Sequence, residues 1–144
     1  MKLEEQVCGL ELAKRLKELG IEQNSYWYWA EVNLCDLNKK DYFLVDKSYK
    51  LNIISSAFTV AELGEILPIT VTDPPLPKNA NPWEYDKTTY WIVNRVGDEY
   101  NKPVSECGHP EQKFHKAFEA DTEANARAKM LIYLLENKFI EGIK

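Results

Sequence analysis

Four consecutive aromatic side chains, Tyr26, Trp27, Tyr28 and Trp29, carry the strongest binding chemistry in this sequence. Flat π faces stack on planar ligands without needing a particular hydrogen-bond pattern. Tyr90 and Trp91 repeat the pattern, and Trp83 and Tyr85 lie just before them in a proline-rich stretch. On a strand, successive side chains face opposite ways, so Tyr26 and Tyr28 share one face while Trp27 and Trp29 share the other. Helices covering only one face leave one pair outside the core, and exposed aromatic area of that size marks an interface or a ligand site. Arg95, with Lys87 or Lys102, adds a cation whose guanidinium grips phosphate through two parallel hydrogen bonds. The candidate ligand-binding set is therefore Tyr26, Trp27, Tyr28, Trp29, Trp83, Trp91 and Arg95. The plainer roles weigh against it: rings packed in a core or a subunit seam, and an arginine left as a solvated charge at a strand end.

Other chemistries find less support. Cys107-Gly-His109 with His115 offers soft metal ligands, but a structural zinc site wants four ligands and a closely spaced cysteine pair, which this chain lacks. A Cys–His couple is arithmetically possible, yet neither residue type stands in a nucleophile elbow. The six glycines are scattered and make no phosphate-cradling loop. With 23 acidic residues, accidental carboxylate pairs are expected, and acid–base work needs two carboxylates in unlike surroundings. No catalytic residue, metal or cofactor is assigned.

These side chains sit in a chain of 144 residues, 44% hydrophobic and 28% charged, a composition suited to one globular core. A net charge of -5 argues against sequence-independent binding to nucleic acid, which needs clustered lysine and arginine. No apolar run is long enough to span a bilayer. The charged opening MKLEEQVCGLELAKRLKELG is unlike a secretory signal, and three distant cysteines make no disulfide framework. The expected setting is the cytoplasm, with reduced thiols.

Periodicity gives the elements that must position the candidates. Cys8, Leu12, Leu16 and Leu19 form one stripe of a helix over about 10–19, stopped by Gly20. Residues 1–8 fit either a separate turn or a pairing strand. Ser25–Leu34 and Asp41–Asn52 read as a hairpin rich in aromatic and β-branched residues. Thr59 and Glu62 form a capping box before a short helix with Val60, Leu63 and Leu67 inward, ended by Pro68. Residues 68–87 hold five of the seven prolines and read as a long loop, shortened by an edge strand at Ile69–Thr72. TTYWIVNRV is a strand, and 97–112 a second irregular stretch. Phe114–Ala120 is a strand, Asp121 or Thr122 a cap, and Ala124–Asn137 a helix with Ala124, Ala128, Leu131 and Leu135 inward, widened by Ala126, Met130 and Leu134. The expected fold is α+β: one domain with an antiparallel sheet of about four to five strands and about three helices.

The closing FEADTEANARAKMLIYLLE, with VCGLELAKRLKELG and AFTVAELGEILP earlier, resembles small accessory proteins of bacteriophages and prophages, over a third to a half of the chain. The resemblance implies a phage or prophage origin, a small α/β sandwich and residence in a host bacterial cell. It assigns no chemistry and no binding residue. Some small phage proteins disarm host defence by sequestering nucleotide signals. The leading expectation is thus a non-enzymatic anti-defence protein that binds a small anionic nucleotide-like ligand, and forms a homo-oligomer to cover an aromatic strand edge. An interaction module inhibiting a host or phage partner, or a structural phage protein, is the alternative; a small enzyme ranks last.

Overall fold

The computed structural model describes residues 2–33, 40–68, 70–73, 88–96, 102–108 and 115–141. Two short helices open it, α1 (Leu3–Gln6) and α2 (Leu10–Glu18), followed by strands β1 (Trp27–Asn33), β2 (Lys40–Asp46) and β3 (Ile53–Ser56). Helix α3 (Val60–Ile66) leads to β4 (Thr70–Asp73), β5 (Thr88–Val96), β6 (Pro103–Gly108) and β7 (His115–Glu119), and α4 (Glu123–Glu136) follows. The α+β class and the antiparallel pairing expected from the sequence are both present. The strands, however, divide between two sheets, β2-β1-β3 and β4-β5-β6-β7, where one sheet was expected.

Local chemistry explains each boundary. Residues 1–8 combine both readings left open: α1 forms a single turn, and Val7 then makes an isolated antiparallel bridge with Thr59. The run Asp41–Asn52 does not continue as one strand. Asp46 turns the chain by accepting the Ser48 N–H, and Asn52 adopts φ 51°, a left-handed conformation that asparagine tolerates. The chain then returns as β3 on the far side of β1, with a bulge between Trp29 and Ala30.

The Thr59 side chain accepts the Glu62 N–H at the start of α3, and Glu62 reaches back to the Thr59 N–H at 2.8 Å. Thr122 does the same for α4 through the Asn125 N–H, one of the two caps expected there. The stretch expected to be irregular at 97–112 contains β6, paired on one side with β5 and on the other with β7.

Helix α4 holds the arrangement together. It lies across β6 and β7 and also touches α1, α2 and α3. Ala124, Ala126 and Ala128 are buried, and their small side chains allow close approach to the sheet; Met130, Leu131, Leu134 and Leu135 fill the core beyond them. One buried cluster joins this face to Leu16 of α2, Phe58, Leu63 of α3 and Cys107 of β6. Fully burying a leucine or methionine side chain stabilises by about 1.5–3 kcal/mol, so these four residues contribute strongly to fastening α4 on β6 and β7. Among the described residues, no helix is long and apolar enough to cross a membrane.

Candidate functional site

The four rings of the first strand have unlike surroundings. Tyr26 is 66% exposed, with the Lys47 ammonium 5.8 Å from its ring centre. Trp27 is half-buried beside a hollow of 270 Å³ that it shares with Leu44, Asp46 and Tyr49. Tyr28 is half-buried, and its hydroxyl accepts the Ser25 N–H at 3.1 Å. Trp29 packs on the core, and its indole Nε1 donates to the Cys8 carbonyl at 3.0 Å. Tyr28 and Trp29 therefore spend their polar tips inside the fold, and Tyr26 is the ring that faces solvent.

The remaining candidates stand elsewhere. Trp91 and Arg95 belong to β5 in the second sheet, Trp91 opposite Thr70 and Gly108, Arg95 opposite Val104. Trp83 and Lys87 lie outside the described residues. Lys102, considered as a phosphate partner for Arg95, is instead paired with Asp121 at 3.0 Å, which raises the lysine's pKa and lowers the aspartate's.

Cys107 lies buried against α4, and burial pushes its thiol up to about 11; Cys8 is likewise pushed up to about 12. Neither is a thiolate at neutral pH, so neither is poised for nucleophilic attack. His109 is outside the described residues. Among those described, no group of three metal-ligating side chains converges.

A site the sequence reading missed is assembled from three elements. In β7, Lys116 and Phe118 stand two residues apart on the face that meets α4, opposite Cys107 and Ser105 of β6. From α4, Lys129, Ile132, Tyr133 and Glu136 follow at i, i+3, i+4 and i+7, which stacks them along one side of the helix. Leu12 of α2 closes the end. Together they line a groove of 440 Å³, within the size range of small-molecule sites. Phe118 and Tyr133 meet with ring centres 5.6 Å apart and planes tilted by 53°. The Lys116 ammonium lies over both, 5.4 Å and 5.7 Å from their centres.

Charge sets this groove apart. Lys129 Nζ donates to the Glu119 carbonyl at 3.0 Å, and its charge also helps to hold the Asp121 carboxyl below its ordinary value. Glu136 is held by Arg15, whose Nε and Nη2 both reach Glu136 Oε1, at 2.9 and 2.8 Å. Two lysines thus line the groove with one carboxylate, Glu136, whose partner Arg15 is shared with Glu18 of α2. A larger hollow of 620 Å³ at the start of α4 has Glu5, Asp121 and Glu123 on its walls, with Asp121 paired to Lys102 and Glu123 to Arg127.

Sequence reading could find the lysine–phenylalanine alternation of β7 and the i, i+3, i+4, i+7 spacing in α4. The packing of α4 on β7, which brings these residues together, carries no local signal. Comparison with protein-family models, with curated proteins and with solved structures finds no match for this chain.

Proposed function

We propose that the protein acts by binding, taking a small, planar, anionic ligand of nucleotide type into the groove between β7, α4 and α2. The observation that carries this reading is the placement of Lys116 and Lys129 beside the Phe118–Tyr133 ring pair. Base-on-ring stacking is worth about 1–3 kcal/mol, and it tolerates different bases because each has a π face. The ammonium of Lys116 now occupies the ring surface through a cation–π contact worth about 0.5–1 kcal/mol at an exposed site. A base displacing it gains more than it loses, and the freed ammonium joins Lys129 on the phosphate. In the setting implied by the resemblance to phage accessory proteins, such a protein sequesters a host nucleotide signal in stoichiometric amounts.

A panel of cyclic and linear nucleotides tests the idea by thermal shift and intrinsic fluorescence. We expect at least one to raise the melting temperature, and Lys116→Ala and Lys129→Ala each to weaken it about tenfold, about 1.4 kcal/mol. A panel that leaves melting and fluorescence unchanged would refute the proposal. One observation favours a second reading, a module that blocks a protein partner: Tyr26 and Leu51 are each 66% exposed and offer anchors of the kind interfaces use. Loss of partner capture in a folded Tyr26→Ala variant would favour it.

A further inference from the structure

The two edges of the three-stranded sheet are finished differently. On β3, Gln23 Oε1 accepts the Ser56 N–H at 2.7 Å, and Lys17 Nζ donates to the Ile54 carbonyl at 2.7 Å. These side chains occupy outward backbone groups that another strand would need. At the opposite edge, β2 has no strand beside it among the described residues.

The register shows which backbone groups of β2 point outward. The Ala57 N–H donates to the Trp27 carbonyl and the Glu31 N–H to the Asn52 carbonyl, so Trp27 and Glu31 face β3. Tyr28, Ala30 and Val32 therefore face β2, where they stand opposite Val45, Phe43 and Asp41. By alternation, Lys40, Tyr42, Leu44 and Asp46 turn their N–H and C=O groups away from β1. The Tyr42 N–H donates to Asp41 Oδ1 at 2.9 Å, a contact with its own neighbour. The Asp46 carbonyl is taken by the Tyr49 N–H in the following turn. Open pairing capacity thus centres on Tyr42 and Leu44.

Antiparallel strands match outward residues with outward residues, and only one two-fold register pairs all of β2 with itself. It puts Phe43 on the axis, Tyr42 opposite Leu44 twice, and Lys40 opposite Asp46 twice. The strand is self-complementary in charge as well as in hydrogen bonding. We infer that the protein forms a two-fold dimer in which β2 of one copy pairs antiparallel with β2 of the second, joining their sheets into one of six strands. Tyr42 and Leu44 exchange backbone hydrogen bonds across the axis, and Asp41 yields the Tyr42 N–H. Lys40, now 3.0 Å from Glu31, also faces Asp46 of the second copy. This inference is independent of the ligand proposal.

Sedimentation velocity over a wide concentration range tests it. We expect a reversible dimer. Lys40→Glu and Asp46→Lys should each weaken it at least about tenfold by setting like charges opposite each other. Mixing the two variants should restore it, because every pair in the heterodimer is again of opposite sign. Leu44→Pro removes an outward N–H without touching the β1 ladder, so it should give a monomer with unchanged circular dichroism. A wild-type protein that stays monomeric, or a dimer indifferent to both charge variants, would overturn the inference.

Discussion

Gly9 and Asn125 are 116 residues apart in sequence, yet the Gly9 N–H donates to Asn125 Oδ1 at 2.7 Å. Gly9 precedes α2 and Asn125 lies in the first turn of α4, so one residue links two helix beginnings: its side chain takes the Gly9 N–H while its own N–H goes to Thr122 Oγ1. We expect Asn125→Ala to cost about 1–3 kcal/mol by leaving a part-buried N–H unpaired. Urea denaturation measures it, and a loss within error of zero would mean that water replaces the amide.

Glu62 does more than cap α3. Besides the Thr59 N–H, its carboxylate accepts the Ser25 hydroxyl at 3.0 Å and the Tyr26 N–H at 3.0 Å. It therefore ties the start of the aromatic strand to the helix. Glu62→Ala should cost more than Thr59→Ala, about 2–4 kcal/mol against about 1 kcal/mol, because charge-assisted bonds to several donors are lost together. Equal losses would show that the link to Tyr26 adds nothing.

At Gly64 a Cβ would fall 2.5 Å from Arg127 Nη1, so alanine there must push the guanidinium aside. Arg127 touches the Val60 carbonyl and pairs with Glu123. Alanine gains about 0.5–1 kcal/mol over glycine inside a helix, and the displaced arginine offsets that gain. We expect Gly64→Ala to be near neutral alone and stabilising once Arg127→Ala is present. A double-mutant cycle reads the coupling, and strict additivity would count against it.

The turn after β2 makes stability depend on acid. Ser48, through its hydroxyl and N–H, holds the Asp46 carboxyl below its ordinary value of 3.8. A depressed folded pKa contributes stability above the unfolded value, and this is lost as pH falls through the folded one. Asp46→Asn should therefore lower the melting temperature near neutrality, where the ionised carboxylate contributes, and converge with the wild type as pH falls below about 4. An unchanged melting temperature near neutrality in the variant would exclude this role.

Cys8 and Cys107 should resist thiol reagents in the native state. Both are fully buried, and their raised pKa values keep them protonated at pH 8. In a Cys35→Ser background, labelling should follow the global unfolding rate. Fast labelling without denaturant would reveal local opening around α4.

Much of this fold is legible where local chemistry decides structure. The Thr59–Glu62 box, the Thr122 cap and the strand TTYWIVNRV all form where their patterns indicate. The failures come where tertiary pairing wins. β6 begins with Pro103, ends with Gly108 and contains buried Ser105 and Glu106, so its own propensity is poor; neighbours on both sides make it a strand. The break between β2 and β3 rests on the Asp46–Ser48 turn and on Asn52, inside a run whose aromatic and aliphatic residues favour extension. The groove was hidden for a similar reason. Leu12, Lys116 and Tyr133 are distant in sequence, and only the docking of α4 assembles them.

That docking has a consequence during synthesis. Because α4 follows every strand, a nascent chain on the ribosome displays the greasy undersides of its earlier helices before their shared cover is translated. Those faces stay open to water until this helix clears the exit tunnel and closes over them.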